Sequence, residues 1–368
     1  MQERSGPLVG VRIIEIDAIG PVPLAAMLLA DMGADIVRVA RPPSAGPGDW
    51  EDVGGDILHR SRTVTYLDIK DERDRGSLLD LIEHADGLIE GYRPGVMERL
   101  GVGPDVCLAR NPKLVFGRMT GWGQSGPMAM RAGHDINYLA ITGALHAMGK
   151  AGEPPPVPLN LVGDYGGGAM FLIFGMLSAL LSAKKTGAGQ VVDACITDGV
   201  ASLMSLFYAW EPKGLWHDAP ASNLLDGGAP FYRCYACADG KFVAVGCLEP
   251  KFFAQMIEGL GLAGRGYDQN DRAGWPRMEA DFEAVFRTRT RDEWGEVYSQ
   301  TDACVTPVLS MAEAPANAHN RARNTFVRFG GLIQPAPSPR VDEAVLGITS
   351  SSKTEISDLI RAWSLPES

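Results

Sequence analysis

The sequence predicts an α/β fold with two domains. Short apolar runs alternate with helical patterns over the first 120 residues, and this pattern changes near residue 210. The 368 residues exceed one ordinary core, and an apolar content of 45% is enough to fill two. Alternating strands and helices are typical of a parallel sheet covered by helices. We therefore expect a large domain with a Rossmann-like parallel sheet and a small α+β domain.

The elements of the large domain follow from its apolar runs in order. Strand patterns cover 11–16, 35–39, 63–67, 87–89 and 114–116, and helical patterns cover 24–32, 77–84, 135–148 and 168–184. Parallel sheets of this kind bind ligands at the carboxyl ends of their strands. We therefore expect functional residues in the loops that follow the strands.

The second half of the chain begins with sequence breaks. Pro212 and Gly227-Gly228 interrupt the alternation, as linkers do, and residues 231–247 form a hairpin pattern with its turn at Asp239-Gly240. The remaining predicted elements are helices near 250–260 and 279–300 and a final helix over 355–363. They indicate a smaller α+β domain.

These patterns divide the chain at predicted boundaries. The division is 1–195 for the large domain, 196–230 for a linker, 231–314 for the small domain, 315–339 for a second linker, and 340–368 for a C-terminal segment that returns to the large domain.

Charge and composition exclude several classes of protein. The net charge of −11 argues against a nucleic-acid surface, so an anionic ligand needs a local basic pocket. The most apolar run, 169–183, is shorter than the roughly 20 residues that span a membrane. The first ten residues lack the apolar core of a signal peptide. We expect a soluble cytoplasmic protein that binds neither nucleic acid nor membrane.

Two short motifs have a structural interpretation. Cys234 and Cys237 form a C-x-x-C pattern, but in a strand they point to opposite faces, and no second pair completes a zinc site. Residues 121–126 fit G-x-G-x-x-G, but Pro127 follows at once, and no helix opens from the third glycine. We expect packing cysteines and a tight loop near a ligand or neighbouring chain, and neither a metal site nor a dinucleotide site.

One imidazole and two carboxylates are the candidate catalytic groups. His134 and Asp135 are adjacent after the glycine-rich loop, and Asp164 follows about one supersecondary unit later. Histidine can take and give a proton near neutral pH. A His and an Asp on separate loops could therefore hold a carbon beside a carbonyl between two bases. The structural alternative is that Asp135 and Asp164 only cap helices.

Several motifs in order resemble one family. They are Glu90-Gly91-Tyr92-Arg93-Pro94-Gly95, Met119-Thr120-Gly121-Trp122-Gly123-Gln124, Gly133-His134-Asp135-Ile136-Asn137-Tyr138, Asn160-Leu161-Val162-Gly163-Asp164 and Gly189-Gln190-Val191-Val192-Asp193. From about residue 7 to 330 the chain resembles the α-methylacyl-CoA racemases, a branch of the class III CoA-transferase (CaiB/BaiF-type) superfamily. The resemblance implies an acyl-CoA thioester substrate, an interlocked homodimer and a role in fatty acid metabolism.

The resemblance also implies roles for individual residues. His134 and Asp164 match the acid/base pair, and Glu249 matches the residue that orients the histidine. Asp135 stands where the transferases carry an aspartate that forms a mixed anhydride; in the racemases this loop is thought to donate a backbone N–H to the thioester oxygen. The CoA-binding candidates are Arg38, Arg41, Arg60, Arg62 and Arg93, since guanidinium groups suit phosphates.

The expected reaction is a 1,1-proton transfer at C2 of a 2-methylacyl-CoA through an enolate. It requires neither a metal nor a redox cofactor, and CoA is part of the substrate. Two alternatives stay open. One is a class III CoA-transferase that moves CoA between carboxylic acids through an anhydride on Asp135, and the other is a non-catalytic acyl-CoA-binding protein.

Overall fold

The computed structural model of this chain describes residues 5–42, 54–341 and 346–365. The strands of these residues are β1 (Arg12–Ile16), β2 (Asp35–Ala40), β3 (Thr63–Tyr66), β4 (Gly87–Glu90), β5 (Val115–Thr120), β6 (Gln190–Cys195), β7 (Tyr232–Ala236), β8 (Phe242–Gly246), β9 (Val305–Pro307), β10 (Phe326–Phe329), β11 (Leu332–Pro335) and β12 (Ser352–Lys353).

The helices of the described residues include a π-helix, Leu161–Ala169, which runs directly into a longer α-helix. The α-helices are α1 (Pro21–Asp31), α2 (Gly55–Leu58), α3 (Glu72–Ile82), α4 (Val96–Arg99), α5 (Pro104–Arg110), α6 (Asp135–Ala140), α7 (Ala144–Ala147), α8 (Met170–Thr186), α9 (Ile196–Leu203), α10 (Ser205–Trp210), α11 (Pro250–Gly259), α12 (Trp275–Phe286), α13 (Arg291–Tyr298), α14 (Ala318–Ala322) and α15 (Ile356–Ser364).

Seven strands form one sheet in the order β12-β3-β2-β1-β4-β5-β6, and every neighbouring pair is parallel. This confirms the predicted Rossmann-like parallel sheet. The strand order reverses between β1 and β4, because the chain first moves from β1 to β3 and then continues on the other side of β1. Such a reversal leaves a crevice at the carboxyl ends of the two strands, where folds of this kind bind ligands.

Helices cover both faces of the sheet, as the apolar strands require. On one face α3, α5 and α15 bury a cluster that includes Leu88 and Phe116. On the other face α8 packs on β5, where the side chains of Leu172 and Met176 lie over Gly117. A side chain at Gly117 would collide with Met176. The glycine therefore permits the close approach of α8 to the sheet.

The C-terminal helix α15 packs on the parallel sheet, as predicted for the returning segment. Leu359 and Trp363 are buried in the cluster of the first face. Trp363 Nε1 donates to Asp35 Oδ2 at 2.8 Å, and Arg12 Nη1 donates to the carbonyl oxygen of Trp363 at 2.6 Å. The last helix is thereby fixed to the first residues of β1 and β2.

The chain divides into two compact units, and each is discontinuous in sequence. The first comprises Met1–Thr142, Pro158–Met204 and Asn324–Ser368, and the second comprises Gly143–Val157 and Ser205–Arg323. These boundaries differ from the predicted ones. Residues 196–204, predicted as linker, belong to the first unit because α9 packs closely on the π-helix. Residues 324–339, also predicted as linker, contain the antiparallel hairpin β10–β11 of the same unit.

One predicted helix was wrong in extent. The pattern over 135–148 gives two short helices, α6 and α7, that belong to different units. Gly143 lies between them with a φ of +81°. This left-handed conformation is easily adopted by glycine and cannot continue an α-helix. The chain therefore breaks at Gly143 despite the helical spacing of its apolar residues.

The second unit contains the antiparallel sheet β7-β8-β9. Its turn at residues 239–240 confirms the predicted hairpin. An aromatic core fills the space between this sheet and α11, α12 and α13, with Phe282 and Trp294 fully buried. Cys234 is exposed and Cys237 is buried, and both are free thiols. The two cysteines therefore point to opposite sides, as the strand interpretation predicts.

The π-helix and α8 together form one apolar helix of 26 residues, Leu161–Thr186. By length and composition alone it could cross a membrane, which corrects the shorter extent predicted for this run. However, 44% of its most apolar stretch is buried inside the protein, and α8 packs on β5 and β6. Helices in the core of soluble proteins have the same composition.

Candidate active site

The candidate site lies at the crevice between β1 and β4. A cavity of about 310 Å³ is lined by the loops that follow β1, β4 and β5 and by Asp164 of the π-helix. Ile19 and Gly20 come from the first loop, and Tyr92 and Arg93 from the second. His134 and Asp164 line the same cavity. The topology thus brings the predicted acid/base pair to the predicted edge of the sheet.

A second cavity, of about 590 Å³, adjoins the first. Both cavities are lined by Ile19, Gly20, His134 and Asp164. The other residues of the second cavity are mostly apolar; they are Ala18, Pro23, Gly54, Leu58, His59, Asn160 and Tyr165. The acid/base pair therefore stands at the boundary between a polar space and a more apolar one.

His134 immediately precedes α6 and is held by the start of this helix. Its backbone N–H donates to Asn137 Oδ1 at 3.1 Å, and its carbonyl oxygen accepts from the N–H of Asn137 at 2.8 Å. Its backbone is extended, and its side chain is exposed towards the cavity. These contacts fix the backbone of His134 and leave the imidazole accessible to a ligand.

Asp164 is presented by the π-helix. The second half of this helix is rich in glycine and packs on α9, where a side chain at Gly167 would collide with Val200. π-Turns occur often at functional sites, because they expose a residue that a regular α-helix would keep in its ladder. Asp164 Oδ2 lies 3.4 Å from the position a Cβ would take at Gly20. Gly20 therefore leaves room beside the carboxylate.

Asp135 is the first residue of α6, and its side chain points away from solvent. Its carboxylate is bound by backbone groups: Oδ1 accepts from the N–H of Asp164 at 2.6 Å, and the N–H of Gly163 also hydrogen-bonds to it. The residue is 8% exposed. Asp135 thus caps the π-helix from a neighbouring helix, in addition to starting its own.

The electrostatic environment raises the pKa of Asp164 to about 6. Burial is the largest cause, followed by the negative charge of Asp135. A hydrogen bond from Asn160 and the charge of His134 oppose this shift. A carboxylate with a pKa near 6 is a stronger base than an ordinary aspartate, yet it is mostly ionised at neutral pH. Asp164 is therefore able to exchange a proton near neutral pH.

Three of the five predicted CoA-binding arginines lie in buried ion pairs, and two of them, Arg60 and Arg62, are almost fully buried. Arg60 contacts Asp31 through two hydrogen bonds, of 3.0 and 2.5 Å, and Arg62 Nη1 lies 2.5 Å from Glu15 Oε2. Both arginines are 1% exposed. A phosphate cannot reach either guanidinium, so the prediction that these two bind CoA directly is corrected.

Arg60 instead binds a segment of the chain that is distant in sequence. Its Nη1 donates to Gln334 Oε1 at 2.9 Å and to the carbonyl oxygen of Pro335 at 2.7 Å. Since Gln334 and Pro335 belong to β11, this side chain joins the β10–β11 hairpin to the loop before β3. Sequence position alone gave no sign of this contact, which spans more than 270 residues.

Arg38 is also largely buried. Its Nε donates to Asp17 Oδ1 at 2.8 Å, and its Nη1 lies 3.1 Å from His59 Nδ1. Burial and the neighbouring arginine charges lower the pKa of His59 to about 3, so its ring is neutral and Nδ1 can accept. Nη2 of Arg38 also lies 2.6 Å from Asp17 Oδ1, so Arg38 forms an ion pair that holds the loop after β1.

Arg41 and Arg93 retain exposed side chains at the crevice. Arg41 lines a small cavity of about 210 Å³ with Asp17 and Tyr92, and Arg93 lines the main cavity. Arg131, which the sequence did not single out, lines the main cavity as well and is exposed. These three cations are placed to meet an anionic ligand despite the net negative charge of the chain.

Glu249 belongs to the second unit. It directly precedes α11, is exposed, and its carbonyl oxygen accepts from the N–H groups of Phe252 and Phe253 at 3.0 Å. The structure brings His134, Asp135 and Asp164 together within the first unit. The contact of Glu249 with His134 stays a prediction.

Sequence reasoning missed three polar residues of the site. Tyr138 donates its hydroxyl hydrogen to the carbonyl oxygen of Gly133, and the Trp122 ring packs edge-on against it at 4.7 Å. Asn160 hydrogen-bonds to Asp164. All three stand inside motifs that carry the family resemblance, but nothing in their spacing distinguishes a contact with the site from ordinary packing.

The G-x-G-x-x-G segment forms a loop, as predicted. No helix follows it, and Gly121 and Trp122 line the main cavity. A side chain at Gly121 would overlap the ring of Tyr138. Within residues 5–42, 54–341 and 346–365, no group of three or more His, Cys, Asp or Glu side chains is arranged to hold a metal ion.

Comparison with known proteins gives one consistent result. Residues 8–343 match CoA-transferase family III. The sequence is 43% identical to the alpha-methylacyl-CoA racemase of Mus musculus and 41% identical to that of Homo sapiens, over 90% of this chain and 84% and 86% of the relatives. The crystal structure of a CAIB/BAIF family protein from Brucella suis has a TM-score of 0.80 at 22% identity, covering 98% of this chain and 99% of that one. This structural likeness shows a shared fold.

Proposed function

Because this chain belongs to CoA-transferase family III, we propose that it is a racemase that interconverts (R)- and (S)-2-methylacyl-CoA thioesters. The two mammalian racemases that share 41% and 43% of its sequence support this activity. The observation that carries the proposal is the placement of His134 and Asp164 on one cavity, with the pKa of Asp164 raised to about 6. Two bases on one cavity are what inversion at a carbon requires.

The proposed reaction is a proton transfer in two steps. One base removes the α-proton from C2, and the C–H electron pair moves into the thioester to form an enolate. The conjugate acid of the other base then donates a proton to the opposite face of C2. His134 serves one enantiomer and Asp164 the other, so atoms and charge balance without a further reactant. We propose that Glu249 fixes the orientation of the imidazole.

General acid–base catalysis contributes about 10²–10⁴ in rate, which is too little to ionise a thioester α-carbon alone. The enolate oxygen also needs a donor, and one preorganised donor is worth roughly 2.7–4 kcal/mol. The backbone N–H of Asp135 is our candidate, because the first N–H groups of a helix have no intrahelical acceptor. We propose that Arg41 and Arg93 bind the phosphates of CoA.

The state of Asp135 favours the racemase over the CoA-transferase alternative. An anhydride requires a carboxylate oxygen to attack the thioester carbon. Oδ1 of Asp135 accepts a hydrogen bond from the backbone N–H of Asp164, and Oδ2 is buried. Whichever oxygen attacks would first have to leave its position. The same carboxylate needs no movement in a reaction that uses only the backbone of Asp135.

A deuterium-exchange assay tests the proposed function. In deuterated water we expect the chain to incorporate deuterium at C2 of both the (R)- and the (S)-enantiomer of a 2-methylacyl-CoA whose acyl chain has at least four carbons, followed by loss of optical purity. Mass spectrometry measures the exchange, and chiral chromatography of the released acid measures the inversion. The matched control is a straight-chain acyl-CoA, which exchanges at C2 without any stereochemical change.

Other outcomes of this assay identify the alternatives. CoA transfer to an added free acid without C2 exchange, together with conversion of the Asp135 carboxylate to a hydroxamate when hydroxylamine is added during turnover, would establish the transferase. Acyl-CoA binding with neither exchange nor transfer would establish a binding protein. The predicted cytoplasmic location and the role in fatty acid metabolism stay predictions.

We also propose that the protein is a homodimer that buries one face of α8. Met170, Phe174, Leu177 and Leu181 are spaced so that they share one side of the helix, and Phe174 is 72% exposed. An exposed apolar stripe of this kind marks a contact surface. The opposite side of α8 already packs on the sheet, so a second chain is the occupant that completes the burial of this helix.

The variant Phe174→Asp tests the dimer. A charge in the centre of a buried apolar contact leaves an unpaired carboxylate, so we expect the dimer to dissociate at micromolar concentration. Sedimentation velocity measures the change, with Lys70→Glu, an exposed residue of the segment between β3 and α3, as control. An unchanged dimer in Phe174→Asp would place the interface elsewhere. A native chain that is monomeric and binds lipid vesicles would favour a membrane contact.

A further inference from the structure

The side chain of Asp135 has no part in the proposed proton transfer, yet it is held in an unusual way. Its carboxylate accepts backbone hydrogen bonds from Gly163 and Asp164, in the turn that carries Asp164, and the bond from the N–H of Asp164 to Oδ1 is 2.6 Å long. Among the described residues Oδ2 has no hydrogen-bond partner, although it is buried. A buried, half-satisfied carboxylate costs stability. The cost in stability indicates that the charge or the contacts of this carboxylate have a function in the site.

The turn that receives Asp135 is built for this contact. A Cβ at Gly163 would overlap Asp135 Oδ1, so only glycine permits the carboxylate to lie against the backbone here. The next residue, Asp164, therefore has its own backbone N–H fixed by a side chain of α6. The two carboxylates are held as neighbours by hydrogen bonds, in opposition to their electrostatic repulsion.

We propose that Asp135 is a positioning residue that acts through Asp164: its carboxylate holds the backbone of the Asp164 turn and places a second negative charge beside the base. This inference rests on the proposed racemase function. It assigns the Asp135 side chain a task separate from that of its backbone N–H. It also explains why a carboxylate is kept at this position in a chain that does not need it as a nucleophile.

The charge of Asp135 changes the proton affinity of Asp164 in a defined direction. After burial, it is the largest cause of the raised pKa of Asp164. The titratable or charged groups that face Asp164 or line its two cavities are His59, Tyr92, Arg93, Arg131, His134, Asp135, Tyr138 and Tyr165. Removing the negative charge of Asp135 leaves only burial to oppose ionisation, so the pKa of Asp164 must fall.

Asp135→Asn separates charge from position. The amide oxygen can still accept from the N–H of Asp164, but the negative charge is gone. For the enantiomer whose proton Asp164 removes, activity requires ionised Asp164, so kcat/KM rises with pH through its pKa. We expect this rising, acidic limb of the kcat/KM profile to move to lower pH by about one unit in Asp135→Asn. For the other enantiomer Asp164 must be protonated, so kcat/KM falls as the pH rises through the pKa of Asp164. We expect this falling, alkaline limb to move to lower pH as well.

Asp135→Ala removes both the charge and the hydrogen-bond acceptor. We expect the same displacement of the pH profile, together with a loss of kcat of about 10²-fold, because a misplaced base loses its alignment with C2. KM should change little in both variants. The matched control is Asp193→Asn, an exposed aspartate of β6 that anchors another loop by accepting from the N–H of Gln124 at 3.2 Å. Its pH profile should be that of the native chain.

A titration of the chain labelled with ¹³C at its aspartate carboxyl carbons gives a second readout that does not depend on turnover. Asp164→Asn identifies the Asp164 resonance, and its midpoint should be lower in Asp135→Asn than in the native chain. An unchanged midpoint, or a pH profile displaced equally in Asp193→Asn, would overturn the inference. If the native chain exchanges no C2 proton, the proposed function fails, and the titration still decides the effect of Asp135 on Asp164.

Discussion

Asp164→Asn and His134→Ala are each expected to lower racemisation by about 10²–10⁴-fold, the usual contribution of a general acid or base. Inversion needs both groups, since one removes the proton from one face of C2 and the other delivers it to the opposite face. Neither base can take over the function of the other, because each reaches only one face of C2. Both variants should therefore fail in both directions, as measured by chiral analysis of the acyl product.

Proton exchange distinguishes the two bases although racemisation is lost in both variants. In Asp164→Asn, His134 still faces one enantiomer, so that enantiomer should exchange its C2 proton with solvent and keep its configuration. In His134→Ala the other enantiomer should behave in this way. Deuterium incorporation with retention, measured for each enantiomer separately, thus assigns each base to one face of the substrate.

The predicted partner of His134 is tested by the same assay. Glu249→Gln removes the charge expected to orient the imidazole, and it should reduce only the exchange that depends on His134. His146, which is exposed and lies 3.1 Å from Asp218 in the second unit, supplies the control, and His146→Ala should leave every rate unchanged. Near-normal racemisation in both Asp164→Asn and His134→Ala would exclude the two-base mechanism.

Arg62→Ala is expected to lower the free energy of unfolding by about 3–5 kcal/mol, because it leaves Glu15 buried without a counter-ion. The two side chains are fully buried, and Arg62 also donates to the carbonyl oxygen of Pro23 at 3.2 Å. Burial already raises the pKa of Glu15 even with Arg62 present. Urea denaturation measures the loss. The double variant Arg62→Met with Glu15→Leu should recover part of it, since an apolar pair replaces the ion pair.

Arg93→Ala is the matched control for this arginine. Its side chain is exposed, so unfolding should change by no more than about 0.5 kcal/mol. Binding of CoA, measured by calorimetry, should weaken, and the effect should be larger at low salt. The reverse result, a stable Arg62→Ala that binds CoA poorly, would restore the direct phosphate contact that the structure does not support.

The regular elements of the first unit were readable from the sequence wherever a periodic apolar pattern was long enough. Strands β1 to β5 and helices α1, α3, α8 and α15 lie within a few residues of their predicted places. Short pieces gave no periodic signal: β12 has two residues, and it exists only because it pairs with β3. The π-helix could not be predicted from the sequence either, since its glycines indicate only that another segment of the chain packs closely against them.

Some features of the candidate site could likewise be predicted from the sequence, and others could not. The sequence by itself determined the residue types of the acid/base pair and their place on loops after strands, because these depend on local patterns and on ordered motifs. Only the tertiary structure decided which arginines can meet a ligand and what Asp135 does. Burial and pairing depend on segments far apart in the chain: Arg60 contacts Asp31 and Gln334, and Asp135 binds the backbone 29 residues later. A charge is free or committed according to the groups that folding places beside it, and no local pattern contains that information.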